Sequence, residues 1–247
     1  MLIYHCVPKA ARRFIIKKLL AEFPRMYSYE YYEPMRIFAG RQNPDELGIL
    51  FDPAQEMLRR FDFKRLKSID FSFGVFSADR YRRERDDFSF TFIRHPVERF
   101  YSGYYHAHNH LMKRTEKSQD GSRMVRYRER FPEMVELFCS DLKTYVRRFL
   151  DSGGKIRFDR PGTVYGPIDE IFFLPKNLHE HDFVGVVELM DESLEILNRR
   201  LGTKIKNDGR VNEGPARPAK RYGVKALTEF FAEDIEKFNA YKAKIKG

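Results

Sequence analysis

The sequence has few cysteines and no long hydrophobic run. Its two cysteines, Cys6 and Cys139, are too few for a disulfide framework, which predicts a reducing compartment. No apolar stretch approaches the roughly 20 residues that a membrane span needs. Met1 leads directly into an apolar segment, without the charged, apolar and cleavage regions of a signal peptide. These absences predict a cytoplasmic protein that has no transmembrane segment, and they leave peripheral contact with a membrane open.

The sequence also lacks the signatures of two large classes of anion-binding protein. No G-x-x-x-x-G-K-[ST] loop is present, so an ordinary P-loop nucleoside triphosphatase is not expected. No zinc-finger spacing, recognition-helix pattern or aromatic RNA-binding signature is present, so no nucleic-acid partner is expected. Positive charge is nevertheless in excess, with 46 lysines and arginines against 36 aspartates and glutamates. By itself, the net charge of +10 favours an anionic partner: nucleic acid, acidic lipid or a small molecule with several phosphates or sulfates.

The chain has the composition and periodicity of a folded α/β protein. Its 247 residues are 42% hydrophobic, with 23 phenylalanines and 14 tyrosines, which excludes wholesale disorder. Strand-like and helix-like segments alternate, which predicts a mostly parallel sheet flanked by helices in a single domain over residues 1–247. The predicted strands are 2–7, 69–76, 88–93, 171–174 and 183–187. The predicted helices are 10–22, 53–66, 96–105, 133–150, 192–201 (capped by Asp191) and 225–244, and the segments 112–128 and 207–220 are predicted to be an exposed insertion and a loop.

The first candidate site follows the first predicted strand. Residues 2–14 are expected to form a strand, a tight turn that contains Lys9, and the start of a helix. Backbone N–H groups at a helix N-terminus bind anions, and a lysine adds a point charge beside them. From this segment alone, an anion-binding turn and an ordinary strand-to-helix turn with a surface lysine both remain open.

The second candidate site spans residues 91–107. Arg94 ends a predicted strand, Pro96 occupies the first turn of a helix, and Ser102 lies about two turns along that helix. An arginine at the carboxyl end of a strand and a hydroxyl on the following helix can converge on one phosphate in the crevice of the sheet. By spacing alone, a helix-capping arginine and a buried serine are equally plausible.

Together the two segments resemble the sulfotransferases that use the donor 3′-phosphoadenosine-5′-phosphosulfate. The H-C-V-P-K of residues 5–9 is similar to the H-I-P-K that opens the donor loop of that family. The family's 3′-phosphate motif, F-x-R-x-P-x-x-R-x-x-S-x-Y, is reproduced at the same spacing by Phe92, Arg94, Pro96, Arg99, Ser102 and Tyr104. Residues 183–202 and 229–241 are similar to later segments of the family, so the resemblance covers the chain from end to end. It implies an architecture related to the P-loop nucleotide-binding fold.

The resemblance implies which residues hold the donor. Lys9 would stabilise the bridging oxygen, whereas Arg94 and Ser102 would hold the 3′-phosphate. The basic loop 217–221 would cover the nucleotide, Glu188 stands where the family has a glutamate and is expected to be structural, and no metal is implied. The full set of implied donor residues is Lys9, Ala10, Ala11, Arg12, Arg13, Arg94 and Ser102.

The sequence departs from the family pattern at two places. After Lys9, the small and hydroxyl residues of the family are replaced by A-A-R-R-F, which removes close backbone approach and side-chain donors, although Arg12 and Arg13 can supply charge. Many relatives carry Gly-His in the strand equivalent to 69–76, where this chain has Gly74 and Val75. Because valine cannot accept a proton, the candidate bases are His5 and Asp79.

The function implied is the transfer of a sulfuryl group from this donor to a hydroxyl of a glycan or another small acceptor. The alternative is a catalytically silent module of the same fold that binds the nucleotide or a sulfated glycan. The altered turn and the missing histidine favour the alternative, whereas the intact motif between Arg94 and Ser102 is compatible with both.

Overall fold

A computed structural model describes residues 2–7, 10–23, 26–28, 71–74, 87–117, 132–154, 174–175, 178–208 and 221–247. The described chain divides into two compact units. The first comprises residues 1–94, 175–211 and 240–247, and the second comprises residues 95–174 and 212–239. The single domain over residues 1–247 stays a prediction. No helix in the described ranges is long and apolar enough to cross a membrane.

The first unit contains a parallel sheet of five described strands. They are β1 (Leu2–His5), β2 (Met26–Ser28), β3 (Phe71–Gly74), β4 (Phe88–Ile93) and β5 (Phe183–Val186). Their order is β2-β3-β1-β4-β5, and every neighbouring pair is parallel. Parallel strands of one sheet are joined by crossover connections, and the helix α1 (Arg12–Glu22) lies in the connection from β1 to β2. The predicted α/β class with a parallel sheet is confirmed.

Aromatic side chains fill the core of the first unit. Tyr4 of β1 stacks on Phe90 of β4 with ring centroids 4.9 Å apart, and Phe92 lies edge-on to Phe183 at 6.2 Å. A Cβ on Gly185 would lie 2.5 Å from the Phe92 ring, so this strand position requires glycine. The helix α5 (Met190–Leu201) completes this core with Leu194 and Leu197, and Gly202 ends the helix at φ 68°.

The second unit consists of described helices around a second aromatic core. They are α2 (Pro96–Lys117), α3 (Pro132–Cys139), α4 (Leu142–Asp151), α6 (Val224–Phe230) and the first part of α7 (Ala232–Lys246). Phe100 of α2 lies at the centre, with its ring centroid 4.8 Å from that of Phe149 and 5.3 Å from that of Tyr145. Burying such rings gives each helix one apolar face, which is the pattern that predicted the helices.

Two helices differ in length from the sequence expectation. The helix α2 continues to Lys117, so residues 112–117 of the segment expected to be an insertion are helical. These residues are mostly good helix formers, and no glycine or proline interrupts them before Gly121. The helix expected over 133–150 is broken into α3 and α4 by Asp141, whose carboxylate accepts a 2.8 Å hydrogen bond from the Thr144 N–H and caps α4.

Two helix ends near the C-terminus also differ. Asp191 does not cap α5, because a 3₁₀ turn at Val187–Leu189 leads directly into the helix and places Asp191 in its first turn. There its negative charge interacts favourably with the helix dipole, but its side chain does not cap the helix. The final predicted helix is divided at Phe231, which is buried in the core of the second unit. The helix predicted over 53–66, the strand over 171–173 and most of the loop over 207–220 lie outside the described residues.

Candidate functional site

The first candidate segment lies at the carboxyl end of the central strand. The strand β1 pairs with β3 on one side and β4 on the other, so His5 faces Gly74 and Thr91 in the register. The chain then turns through Val7, whose carbonyl accepts a hydrogen bond of 3.2 Å from the Ala10 N–H, and enters α1 at Arg12. The carboxyl edge of a parallel sheet at its centre is where α/β proteins bind nucleotides.

Ala11 turns the chain from this strand into α1. Its φ of 57° and ψ of 16° lie in the left-handed region, and among the described residues that are not glycine it alone has a positive φ. The left-handed conformation costs an ordinary residue about 1 kcal/mol because Cβ crowds the following carbonyl oxygen. Ala10 is fully buried beside it. Lys9 and the side chains of Arg12 and Arg13 lie outside what the structure describes, so their roles stay predictions.

His5 is a buried residue of β1. Nδ1 of His5 and Nε2 of His181 are 2.7 Å apart, and the backbone carbonyl of His5 accepts a hydrogen bond of 2.7 Å from the Thr91 hydroxyl. Burial, reinforced by the neighbouring His181, lowers the pKa of His5 to about 3. At neutral pH His5 is therefore an uncharged imidazole and a weak base. The second candidate base, Asp79, lies outside the described residues.

Arg94 follows β4 directly, as expected. Its Nε lies 3.9 Å from Oε1 of Glu188, which stands in the 3₁₀ turn after β5, and both side chains are partly exposed. The pair places a guanidinium at the same edge of the sheet at which β1 ends. The sequence indicated the position of Arg94, and the family resemblance indicated that of Glu188, but neither showed that the two residues pair, since they are far apart in the chain.

Ser102 is a half-buried residue of α2, in the second unit. Two α2 residues of the same motif have well-defined surroundings: Arg99 is completely buried, and the Tyr104 hydroxyl donates to the Ser140 carbonyl at 2.7 Å. Arg94 belongs to the first unit, so the convergence of Arg94 and Ser102 on one phosphate stays a prediction.

Arg99 and Asp234 are buried charged residues of the second unit that interact electrostatically. Burial lowers the pKa of Arg99 to about 9, against which the Asp234 carboxylate acts, so the guanidinium remains charged at neutral pH. Asp234 also accepts a hydrogen bond of 2.8 Å from the Leu174 N–H. Removing one partner of such a pair leaves an uncompensated buried charge, which is costly. The sequence places Arg99 in the family's 3′-phosphate motif but does not indicate its interaction with Asp234.

Arg221, the last residue of the expected basic loop, contacts α2. Its guanidinium forms an ion pair with Glu98, in which Nη2 donates to Oε2 at 3.2 Å. The guanidinium also lies 5.5 Å from the centre of the Tyr101 ring. The Tyr101 hydroxyl donates a 2.7 Å hydrogen bond to the carbonyl of Tyr222. These contacts fix the residues that precede α6, and the rest of the basic loop lies outside the described residues.

One protein family matches nearly the whole chain. The model of a family described as "Sulfotransferase family" matches residues 2–241. The curated protein sequences contain no significant match. A solved structure similar to this chain is described as the crystal structure of a sulfotransferase from Alicyclobacillus acidocaldarius. The two chains are 16% identical, with a TM-score of 0.38 over 96% of this chain and 94% of the other.

Proposed function

The chain belongs to the sulfotransferase family, and on this premise we propose that it transfers a sulfuryl group from 3′-phosphoadenosine-5′-phosphosulfate to a hydroxyl of a glycan or another small acceptor. The observation that carries the proposal is the family match over residues 2–241, which includes both segments that resemble the donor-binding motifs. The parallel sheet supports it, because β1 and β4 end side by side at the edge where such folds bind nucleotides.

The two segments divide the recognition of the donor between them. Lys9 and residues Ala10 to Arg13 bind the 5′-phosphosulfate, with at least one of Arg12 and Arg13 contacting this end of the nucleotide. Arg94 and Ser102 hold the 3′-phosphate. A guanidinium grips a phosphate through two parallel charge-assisted hydrogen bonds, and a hydroxyl adds a third donor.

The reaction needs positioning and charge stabilisation more than covalent help. The acceptor oxygen forms a bond to sulfur, and the bond between sulfur and the bridging oxygen breaks, so negative charge develops on the leaving 3′,5′-bisphosphate. Lys9 stabilises that charge, and a base takes the proton from the acceptor hydroxyl. Asp79 is the stronger candidate for the base, because His5 is buried and its Nδ1 already lies 2.7 Å from Nε2 of His181.

The test is a transfer assay with donor labelled at sulfur and a panel of glycans and small hydroxylated acceptors. We expect label in an acceptor at a rate that Asp79→Asn reduces, whereas His5→Gln leaves it measurable. The matched control is Asp151→Asn, an exposed carboxylate in α4, which should leave the rate unchanged. Absence of transfer to every acceptor, with the donor still bound, would contradict the enzymatic proposal.

A second candidate function is a catalytically silent module that binds the nucleotide or a sulfated glycan. The low pKa of His5 favours it, because it weakens one of the two candidate bases. Val75 in place of the family's histidine favours it as well. The same assay separates the two functions, since the silent module binds adenosine 3′,5′-bisphosphate but neither transfers nor hydrolyses the labelled group.

A further inference from the structure

Glu188 and Arg94 are delivered to one place by two adjacent strands. Ile93, the last residue of β4, is the register partner of Val186, the last residue of β5. Arg94 is therefore one residue and Glu188 two residues beyond the final pair, at the carboxyl edge of the sheet. The Nε of Arg94 lies 3.9 Å from Oε1 of Glu188, and the side chains are 19% and 28% exposed. The contact thus follows from the sheet itself and not from the chance position of a surface loop.

We infer that Glu188 is a positioning residue that holds the Arg94 guanidinium ready for the 3′-phosphate, an inference that rests on the proposed function. A guanidinium is planar, and its two terminal nitrogens form an edge that can bind two phosphate oxygens at once. The edge between the terminal nitrogens points away from Nε, whereas the contact of Glu188 is with Nε. The observed contact therefore orients Arg94 without placing Glu188 where the phosphate would bind.

Because of this contact, the Arg94 side chain loses less conformational entropy when the ligand binds. A free arginine side chain has many rotamers, and fixing them at the moment of binding reduces affinity. Glu188 fixes part of this freedom before binding. Because the pair is partly exposed, its contribution is modest, and we expect its loss to weaken binding of the 3′-phosphate about fivefold.

The test is a double-mutant cycle measured by calorimetric titration of the full chain. The variants are Glu188→Gln, Arg94→Ala and the two combined, each titrated with adenosine 3′,5′-bisphosphate and with adenosine 5′-monophosphate. Glu192→Gln is the matched control, because it removes the same charge from an exposed residue in the first turn of α5. Glu188→Asp keeps the carboxylate and should recover part of the lost selectivity, which a merely structural role would not predict.

The expected result is that Glu188→Gln lowers the preference for the bisphosphate about fivefold, that Glu192→Gln does not, and that Glu188→Gln has no further effect once Arg94 is alanine. Additive effects, unchanged selectivity or tighter binding of the bisphosphate by Glu188→Gln would overturn the inference. A wild-type protein that does not prefer the bisphosphate would instead overturn the proposed donor, and the inference with it.

Discussion

The turn after β1 and the segment after β4 end neighbouring parallel strands, but they have diverged from the sulfotransferase motifs to different extents. The segment after β4 keeps every motif residue from Phe92 to Tyr104, and Arg94 has an acidic neighbour at the edge of the sheet. The turn keeps the histidine and the P-K pair of the family's H-I-P-K, with one more residue between them, but replaces the small and hydroxyl residues that follow. The roles proposed for the two segments therefore predict that substitutions in one change binding of the 3′-phosphate and substitutions in the other change the rate of transfer.

The largest expected effect concerns Lys9, in the diverged turn. Replacing it by alanine should lower the rate of transfer at saturating donor a few hundredfold, because a charge on a developing oxyanion contributes about 3–4 kcal/mol in the transition state. Steady-state kinetics with labelled donor measures this. Lys17→Ala, which removes an exposed lysine from α1, is the control and should have no effect. Unchanged turnover in Lys9→Ala would remove the residue from the mechanism.

The segment after β4 should respond in affinity. Arg94→Ala should weaken binding of adenosine 3′,5′-bisphosphate roughly 30- to 150-fold, because losing one charged hydrogen-bond partner costs about 2–3 kcal/mol. Binding of adenosine 5′-monophosphate should change little. Arg199→Ala, at an exposed arginine in α5, is the matched control. Equal weakening for both nucleotides would mean that Arg94 does not read the 3′-phosphate.

The next effect tests His5 through pH. Because folding lowers the pKa of His5 to about 3, the unfolded chain binds a proton between that value and about 6.5 that the folded chain does not. The stability that the protein gains by keeping His5 neutral is therefore present above about pH 6.5 and is lost as the pH falls. At pH 5 the free energy of unfolding is lower by about 2 kcal/mol. Urea unfolding at pH 7 and pH 5 should show the loss in wild type and a smaller one in His5→Gln. An identical pH dependence in the two proteins would contradict the burial of a neutral His5.

The smallest expected effect concerns Ala11. Glycine adopts the left-handed conformation at φ 57° without a Cβ clash, so Ala11→Gly should raise the free energy of unfolding by about 0.5–1 kcal/mol. Ala21→Gly, in the last turn of α1, is the control and should lower it, because there glycine loses conformational freedom in a helix. Destabilisation by both substitutions would show that the turn is not strained at Ala11.

The sequence predicts the sheet better than it predicts the helix ends. Apolar strands such as 88–93 carry an unambiguous period, and the family motif places Arg94 directly after one of them. The breaks at Asp141 and Phe231 depend on a capping hydrogen bond and on a buried ring, which a periodic apolar pattern does not register. The contacts of His181 with His5 and of Glu188 with Arg94 likewise cannot be predicted from the sequence, because they join distant parts of the chain.

The central claim is that the edge formed by β1 and β4 is a site for a nucleotide with a 3′-phosphate. Calorimetric titration of the wild-type chain with adenosine 3′,5′-bisphosphate and with adenosine 5′-monophosphate tests it most directly. The account predicts that the bisphosphate binds at least about 30-fold more tightly, as expected for one arginine and one hydroxyl on the extra phosphate. Equal affinity for the two nucleotides would contradict it.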